Sequence, residues 1–168
     1  MSFRLSSSAR AALVAVSLLV AACGRSGESH STDLIRATES GSSDEVGWLL
    51  ASGVDPNQRS SLGLTALFAA VRIGSVDKVK LLVDAGADVQ ATLPPSDLTP
   101  LMFLAQARSV SSETADLAVL KVLLVSGADS CATASTGQWE GLRASAIAQR
   151  SGRLKVADAL ARAEEPCG

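Results

Sequence analysis

The sequence predicts an all-α fold, a solenoid of about four helix-turn-helix repeats. Three observations predict it. The stretch Val76-Asp77-Lys78-Val79-Lys80-Leu81-Leu82-Val83-Asp84-Ala85-Gly86-Ala87-Asp88 has an echo 33 residues upstream, Trp48-Leu49-Leu50-Ala51-Ser52-Gly53-Val54-Asp55, and another 41 residues downstream, Val122-Leu123-Leu124-Val125-Ser126-Gly127-Ala128-Asp129. Self-similarity at a period near 33 marks a stacked-repeat architecture. Within the copies, apolar residues recur at helical spacing: Val76, Val79 and Leu82 fall on one face. The third observation is composition. With three Phe, two Trp and no Tyr, a core of Ala, Leu and Val suits thin helices packed side by side, not a sandwich with large aromatic layers.

The 168 residues suffice for one domain. A formal charge of −2 argues against nucleic acid as the main target, which requires a clustered basic face. Three cysteines are too few for a disulfide-framework miniprotein.

Residues 1–22 read as a targeting segment. Arg4 and Arg10 form a basic start, and Ala11 to Ala22 is an uncharged apolar run too short to span a bilayer comfortably. It ends Val20-Ala21-Ala22-Cys23, which resembles the bacterial lipobox: an aliphatic residue, two small ones, then the Cys whose thiol accepts the lipid. The other reading is an ordinary secretory signal with Cys23 at its end by chance. The resemblance implies cleavage before Cys23. Loss of 22 residues, with their two arginines, leaves 146 of the 168 and a charge of −4 in place of −2. A Cys carrying two or three chains is a firm membrane anchor. Gly24, rather than Asp, after the Cys implies sorting to the outer membrane, facing the periplasm. Residues 23–32 then read as the lipidated Cys and a flexible Gly/Ser-rich tether, with a reach of roughly 15–18 Å. His30, the sole histidine, falls on this tether, without the fixed geometry that a general base needs.

Four units follow, at about 33–60, 61–95, 96–137 and 138–165. In the first, Leu34, Ile35 and Ala37 belong to a helix ended by Gly41. Ser43 is placed to cap the next helix, whose inward stripe is Val46, Leu49 and Leu50. The second unit opens Gly63-Leu64-Thr65-Ala66-Leu67-Phe68-Ala69-Ala70. The third opens Asp97-Leu98-Thr99-Pro100-Leu101-Met102-Phe103-Leu104-Ala105, and its second helix carries Leu117, Leu120, Leu123 and Leu124. The fourth runs Gly141-Leu142-Arg143-Ala144-Ser145-Ala146-Ile147-Ala148, then Leu154, Val156, Ala157 and Leu160. The second and third openings resemble the ankyrin motif Gly-x-Thr-Pro-Leu-x-x-Ala, and the Gly-Ala-Asp turns resemble the end of the ankyrin unit. The resemblance covers about 33–165 and implies paired antiparallel helices with projecting β-hairpin loops. In the motif, Thr caps the first helix, Pro occupies its first position, where no donor is needed, and Gly ends helices in the left-handed conformation. The end units depart most, as terminal repeats with a solvent face do. Four units exceed the roughly three that a stable stack requires. The third unit is eight residues too long, with the excess in Ser109–Asp116. This is either a tolerated surface insertion or a contact loop of that repeat.

The ankyrin resemblance implies a protein partner, bound by hairpin residues around the motif Gly and by residues just before the first helix's end. By position these are Leu62, Leu64, Arg72 and Ile73 in repeat two, Leu98 and Gln106 in repeat three, and Trp139, Leu142 and Arg150 in repeat four. Aromatic and arginine side chains are the types enriched in binding hot spots, and Trp139 is the expected anchor. Leu64 and Leu142 have a second reading, as packing between adjacent hairpins. Cys131 and Cys167 are either a disulfide, which the oxidising periplasm favours, or two unrelated thiols. A bridge would close about 36 residues, worth roughly 3.5–4 kcal/mol by chain entropy.

Catalytic residues are not apparent. One tether histidine assembles no Ser-His-Asp or Cys-His arrangement. No Cys/His cluster has zinc spacing, no phosphate-cradling loop appears, and no metal or cofactor is implied. A carboxylate-only hydrolase is the remote alternative. Two binding roles remain for a monomer held to the membrane through Cys23. One is an envelope adaptor or accessory factor that binds a resident protein. The other is an immunity protein that blocks a toxic secreted hydrolase, such as a lipase-type effector of a contact-dependent secretion system.

Overall fold

The computed structural model describes residues 27–106 and 112–167. The chain divides into two compact units, Met1–His30 and Ser31–Gly168, and the second carries the repeats. Cys23 and the targeting segment lie outside the described residues.

Among the described residues eight α-helices follow in pairs: α1 (Gly27–Ser40) with α2 (Ser43–Ala51), α3 (Ala66–Ile73) with α4 (Val76–Asp84), α5 (Pro100–Gln106) with α6 (Glu113–Val125), and α7 (Ala144–Arg150) with α8 (Leu154–Glu164). Single 3-10 turns occupy Gly137–Trp139 and Glu165–Cys167. The second helices α2, α4, α6 and α8 pack successively, and so do the first helices α3, α5 and α7. This is the two-layer all-α solenoid that the period predicts.

The period places core residues in columns. Val46, Val79, Leu120 and Ala157 hold equivalent positions and are all buried, as are Leu49, Leu82, Leu123 and Leu160. Phe68 fills the centre of the first-helix layer and meets Phe103 edge to face, with ring centroids 5.5 Å apart. Such pairs add to what burial alone contributes.

Four local expectations are corrected. Helix α1 starts at Gly27, so Gly27–Thr32 is helix where the composition predicts tether. The cap of α2 is Ser42, not Ser43: its hydroxyl accepts from the Glu45 amide at 3.1 Å. Thr65 stands at the α3 N-cap without a side-chain cap bond. Its counterpart Thr99 accepts, at 3.4 Å, from the Met102 amide. Gly41 ends α1 through lack of space, not through a left-handed backbone. A Cβ there would stand 2.3 Å from the Glu45 carboxylate and 2.8 Å from the Ala37 carbonyl.

The loops are hairpin turns without strands among the described residues. Each closes by backbone bonds at one register: Ser60 N–H to Leu64 O at 2.8 Å, Leu93 N–H to Leu98 O at 3.0 Å, and Ala134 N–H to Leu142 O at 2.9 Å. The residue before each of Leu64, Leu98 and Leu142 is left-handed, with φ of +77° at Gly63, +48° at Asp97 and +74° at Gly141. Asp97 therefore does the work of the motif glycine and fixes the register of repeat three. A side chain in that conformation is strained. Asp97→Gly is expected to raise stability by about 0.5–1 kcal/mol, less the 3.3 Å bond that Ser135 Oγ donates to Asp97. Urea denaturation checks it.

Neighbouring repeats are joined by a ladder at one position, two residues after each turn Asp. Asn57 donates to Gly86 O at 2.9 Å, and its side-chain oxygen accepts from the Asp88 amide at 2.7 Å. Gln90 donates to Gly127 O at 3.1 Å. The third holder of the position is Cys131, and its link is covalent: it is disulfide-bonded to Cys167, with Cα atoms 5.6 Å apart. Ser130 Oγ adds a bond to Ala163 O at 3.0 Å. The last interface thus carries a disulfide where the earlier ones carry amide side chains. It clamps the repeat with the weakest motif to its neighbour.

Candidate interaction surface

Hairpin tips and first-helix ends hold most of the side chains expected to meet a partner. Leu62 is the most exposed of them, at 82%. The Leu62 amide is bonded to Ser60 Oγ at 3.3 Å, which holds the tip in a tight turn. Arg72 and Arg150 are exposed at the ends of α3 and α7, and Ile73 and Gln106 are half-buried. Arg72 is ion-paired with Glu39 of α1, so its charge is shared with the neighbouring repeat. Arg150 has no such pairing among the described residues.

Leu98 is a correction. It is 1% exposed and belongs to the core. Leu64 and Leu142 are half-buried against the same core, which agrees with the packing reading. The cause is common to the three: each carbonyl is committed to the cross-hairpin bond, and the side chain of that residue turns inward.

Trp139 also lies deeper than a free anchor would. It is half-buried against the core, and its Nε1 is enclosed without a hydrogen-bond partner. An indole N–H left unpaired costs free energy, and the ring packs against the hydrophobic core. Trp139→Ala therefore acts on the fold as well as on any partner. Leu62 takes its place as the residue whose removal leaves the fold alone.

The ionic joints behind this surface were not anticipated. Lys78 is buried in α4, and its ammonium donates to Thr38 O at 2.7 Å and Gly41 O at 2.8 Å. It caps the negative end of α1. Arg153, at the N-cap of α8, pairs with buried Asp116 of α6 and donates to Leu104 O in α5. A sequence signal existed for both helical residues. Lys78 precedes Leu82 by one turn, and Asp116 precedes Leu120 by one turn, so each lies on the buried stripe. The Ser109–Asp116 excess is thereby explained in part: Ser112 caps α6, and Asp116 supplies the ion pair. Residues 107–111 lie outside the described part. At the surface, a hydrogen bond from Lys155 to Glu113, and the attraction between them, raise the Lys155 pKa above its ordinary value.

Among the described residues no group of three or more His, Cys, Asp or Glu is disposed to hold a metal ion. No described helix is long and apolar enough to cross a membrane.

No curated protein matches the chain. Ankyrin repeats, in three copies, match residues 34–134, more than half of the sequence. The match spans the first three units, and the fourth unit continues the same helix pairing beyond it. An array of this kind is a protein–protein interaction module, and the chain belongs to the ankyrin-repeat family.

Proposed function

We propose that the chain is a membrane-anchored adaptor of the bacterial envelope, binding a resident protein through the hairpin tips and first-helix ends. The observation that carries the binding site is Leu62, a large apolar side chain left 82% exposed at a hairpin tip. Arg72, Ile73, Gln106 and Arg150 lie at the ends of the first helices of repeats two, three and four. The lipobox-like Val20-Ala21-Ala22-Cys23 supports the anchor. The Cys131–Cys167 disulfide supports an oxidising compartment.

The alternative, immunity to a secreted hydrolase, calls for very tight binding. Tight interfaces are centred on apolar or aromatic anchors buried in the partner. With Leu98 in the core and Trp139, Leu64 and Leu142 half-buried, the apolar footprint is smaller than the sequence predicts. That favours the adaptor role. The family consists generally of non-enzymatic scaffolds, which leaves the hydrolase alternative without support.

Two experiments test the proposal. Metabolic labelling with an alkyne fatty acid should mark the wild type and leave Cys23→Ser unmarked; equal labelling removes the anchor. A photo-crosslinking residue at position 62 should trap one envelope protein in cells, and the same residue at exposed Glu45 should not. Identical products from both positions remove the site.

A further inference from the structure

The geometry points to a second docking site, in the groove between α4 and α6, for an amphipathic helix of a protein partner that carries a carboxylate beside its apolar stripe. The groove has a volume of about 510 Å³ and lies between the second helices of repeats two and three. One wall is the stripe Val76, Lys80 and Asp84 at successive turns of α4. The other includes Lys121, Val122 and Val125 of α6.

Two features of the chain mark this groove. Val125 is 80% exposed, although its equivalents in the two preceding repeats are Asp84 and Ala51. A branched apolar residue thus stands in water at a position where the neighbouring repeats place a charged or small one. The second feature is charge. The chain has four lysines. Lys78 is engaged by carbonyls, and Lys155 by Glu113. The remaining two, Lys80 and Lys121, hold equivalent positions in adjacent repeats, are exposed, and make no ion pair among the described residues. Both line the groove, together with Val76, Val122 and Val125.

The occupant follows from this pattern. Two ammonium groups against the one carboxylate of Asp84, in a wall that also holds Val76, Ala118, Val122 and Val125, match one carboxylate flanked by apolar residues. At helical spacing that is a stripe of i, i+3, i+4 and i+7 with an acidic residue beside its middle. The wall supplied by α4, nine residues long, measures about 13 Å, or roughly two and a half turns. A helix laid between two helices also seats its ridge in their groove. Anionic lipid surfaces select clusters of basic residues, and duplexes select extended basic faces. Two lysines with Asp84 beside them form neither. This site is separate from the hairpin surface: its residues belong to the second helices, and those of the proposed adaptor site to hairpins and first helices.

The test uses the full mature chain with its disulfide intact and two labelled helical peptides of about 14 residues. Both have a Leu/Ala stripe; one is flanked by Glu and the other by Lys. Fluorescence anisotropy should show binding of the Glu peptide. Binding should weaken about tenfold or more in K80E/K121E, whose preference should turn to the Lys peptide. It should be lost in Val125→Asp and be unaffected by Leu62→Ala. Circular dichroism confirms the fold of each variant. The proposal is overturned by equal binding of the two peptides, by a K80E/K121E chain that binds as the wild type does, or by loss of binding in Leu62→Ala. It is also overturned if the chain ignores both peptides and binds phosphatidylglycerol vesicles through Val125, or self-associates through it.

Discussion

Replacing Asp116 by Ala is expected to destabilise the protein by about 3–5 kcal/mol, because it breaks a buried ion pair with Arg153 from one side. The two side chains are 4% and 9% exposed, so solvent cannot take the place of the carboxylate. The pair is also a three-way joint. Asp116 belongs to α6, Arg153 begins α8, and Arg153 reaches the Leu104 carbonyl in α5. Its loss loosens repeats three and four together. The double variant D116L/R153M, which removes both charges and keeps apolar volume, should recover most of the loss, since a buried pair contributes little over well-packed apolar groups. Urea denaturation of the three chains measures the cycle. A loss under about 1 kcal/mol in Asp116→Ala would mean that the guanidinium finds water and that the joint is not closed.

The second large effect is at the disulfide. Reducing it, or replacing Cys167 by Ser, is expected to cost about 2–4 kcal/mol. For a repeat unit of this size that lowers the melting temperature by about 10 °C. The loss should be local. In a solenoid each repeat contacts only its neighbours, and Cys131–Cys167 replaces the ladder bond at the last interface alone. Hydrogen exchange should therefore quicken in α7 and α8 and stay unchanged in α3 and α4. Uniform loss of protection would contradict the one-dimensional account. Equal thiol counts in denatured samples with and without reductant would show that the bond does not form.

What the sequence made legible follows from period and stripe. The 33-residue echo and the columns headed by Val46 and Leu49 determine the helix pairing, because a repeat buries its stripe only against its neighbour's. Local ends were harder. Ser42 and Ser43 are both competent caps, and the choice depends on where the chain enters α2. Leu98 was misplaced for a related reason. The motif says that the residue after the left-handed position lies in a hairpin, but not that its carbonyl is held across that hairpin, and that bond is what turns the side chain inward. Trp139 shows the limit of reading hot spots by residue type, since a large ring at a repeat junction has core to cover first. Lys78 and Asp116 are legible in the sequence: charged residues on a buried stripe signal a bonded joint. The groove beside Val125 had a signal too, an apolar residue where the equivalent positions hold Asp and Ala. It becomes evident only once α4 and α6 are seen side by side.

The proposed docking surface for one protein partner is the set of hairpin tips and first-helix ends. The most direct measurement immobilises the mature chain with Cys23 replaced, beside a Leu62→Asp/Arg150→Glu chain of equal helicity. Both are exposed to envelope and secreted fractions of the source organism. Washing at about 0.5 M salt, where the Debye length is roughly 4 Å, removes loose charge contacts. One resident envelope protein should be held in stoichiometric amount by the first chain and be absent from the second. A partner retained equally by both chains would contradict this docking surface, and a secreted hydrolase inhibited on binding would replace the adaptor role with immunity.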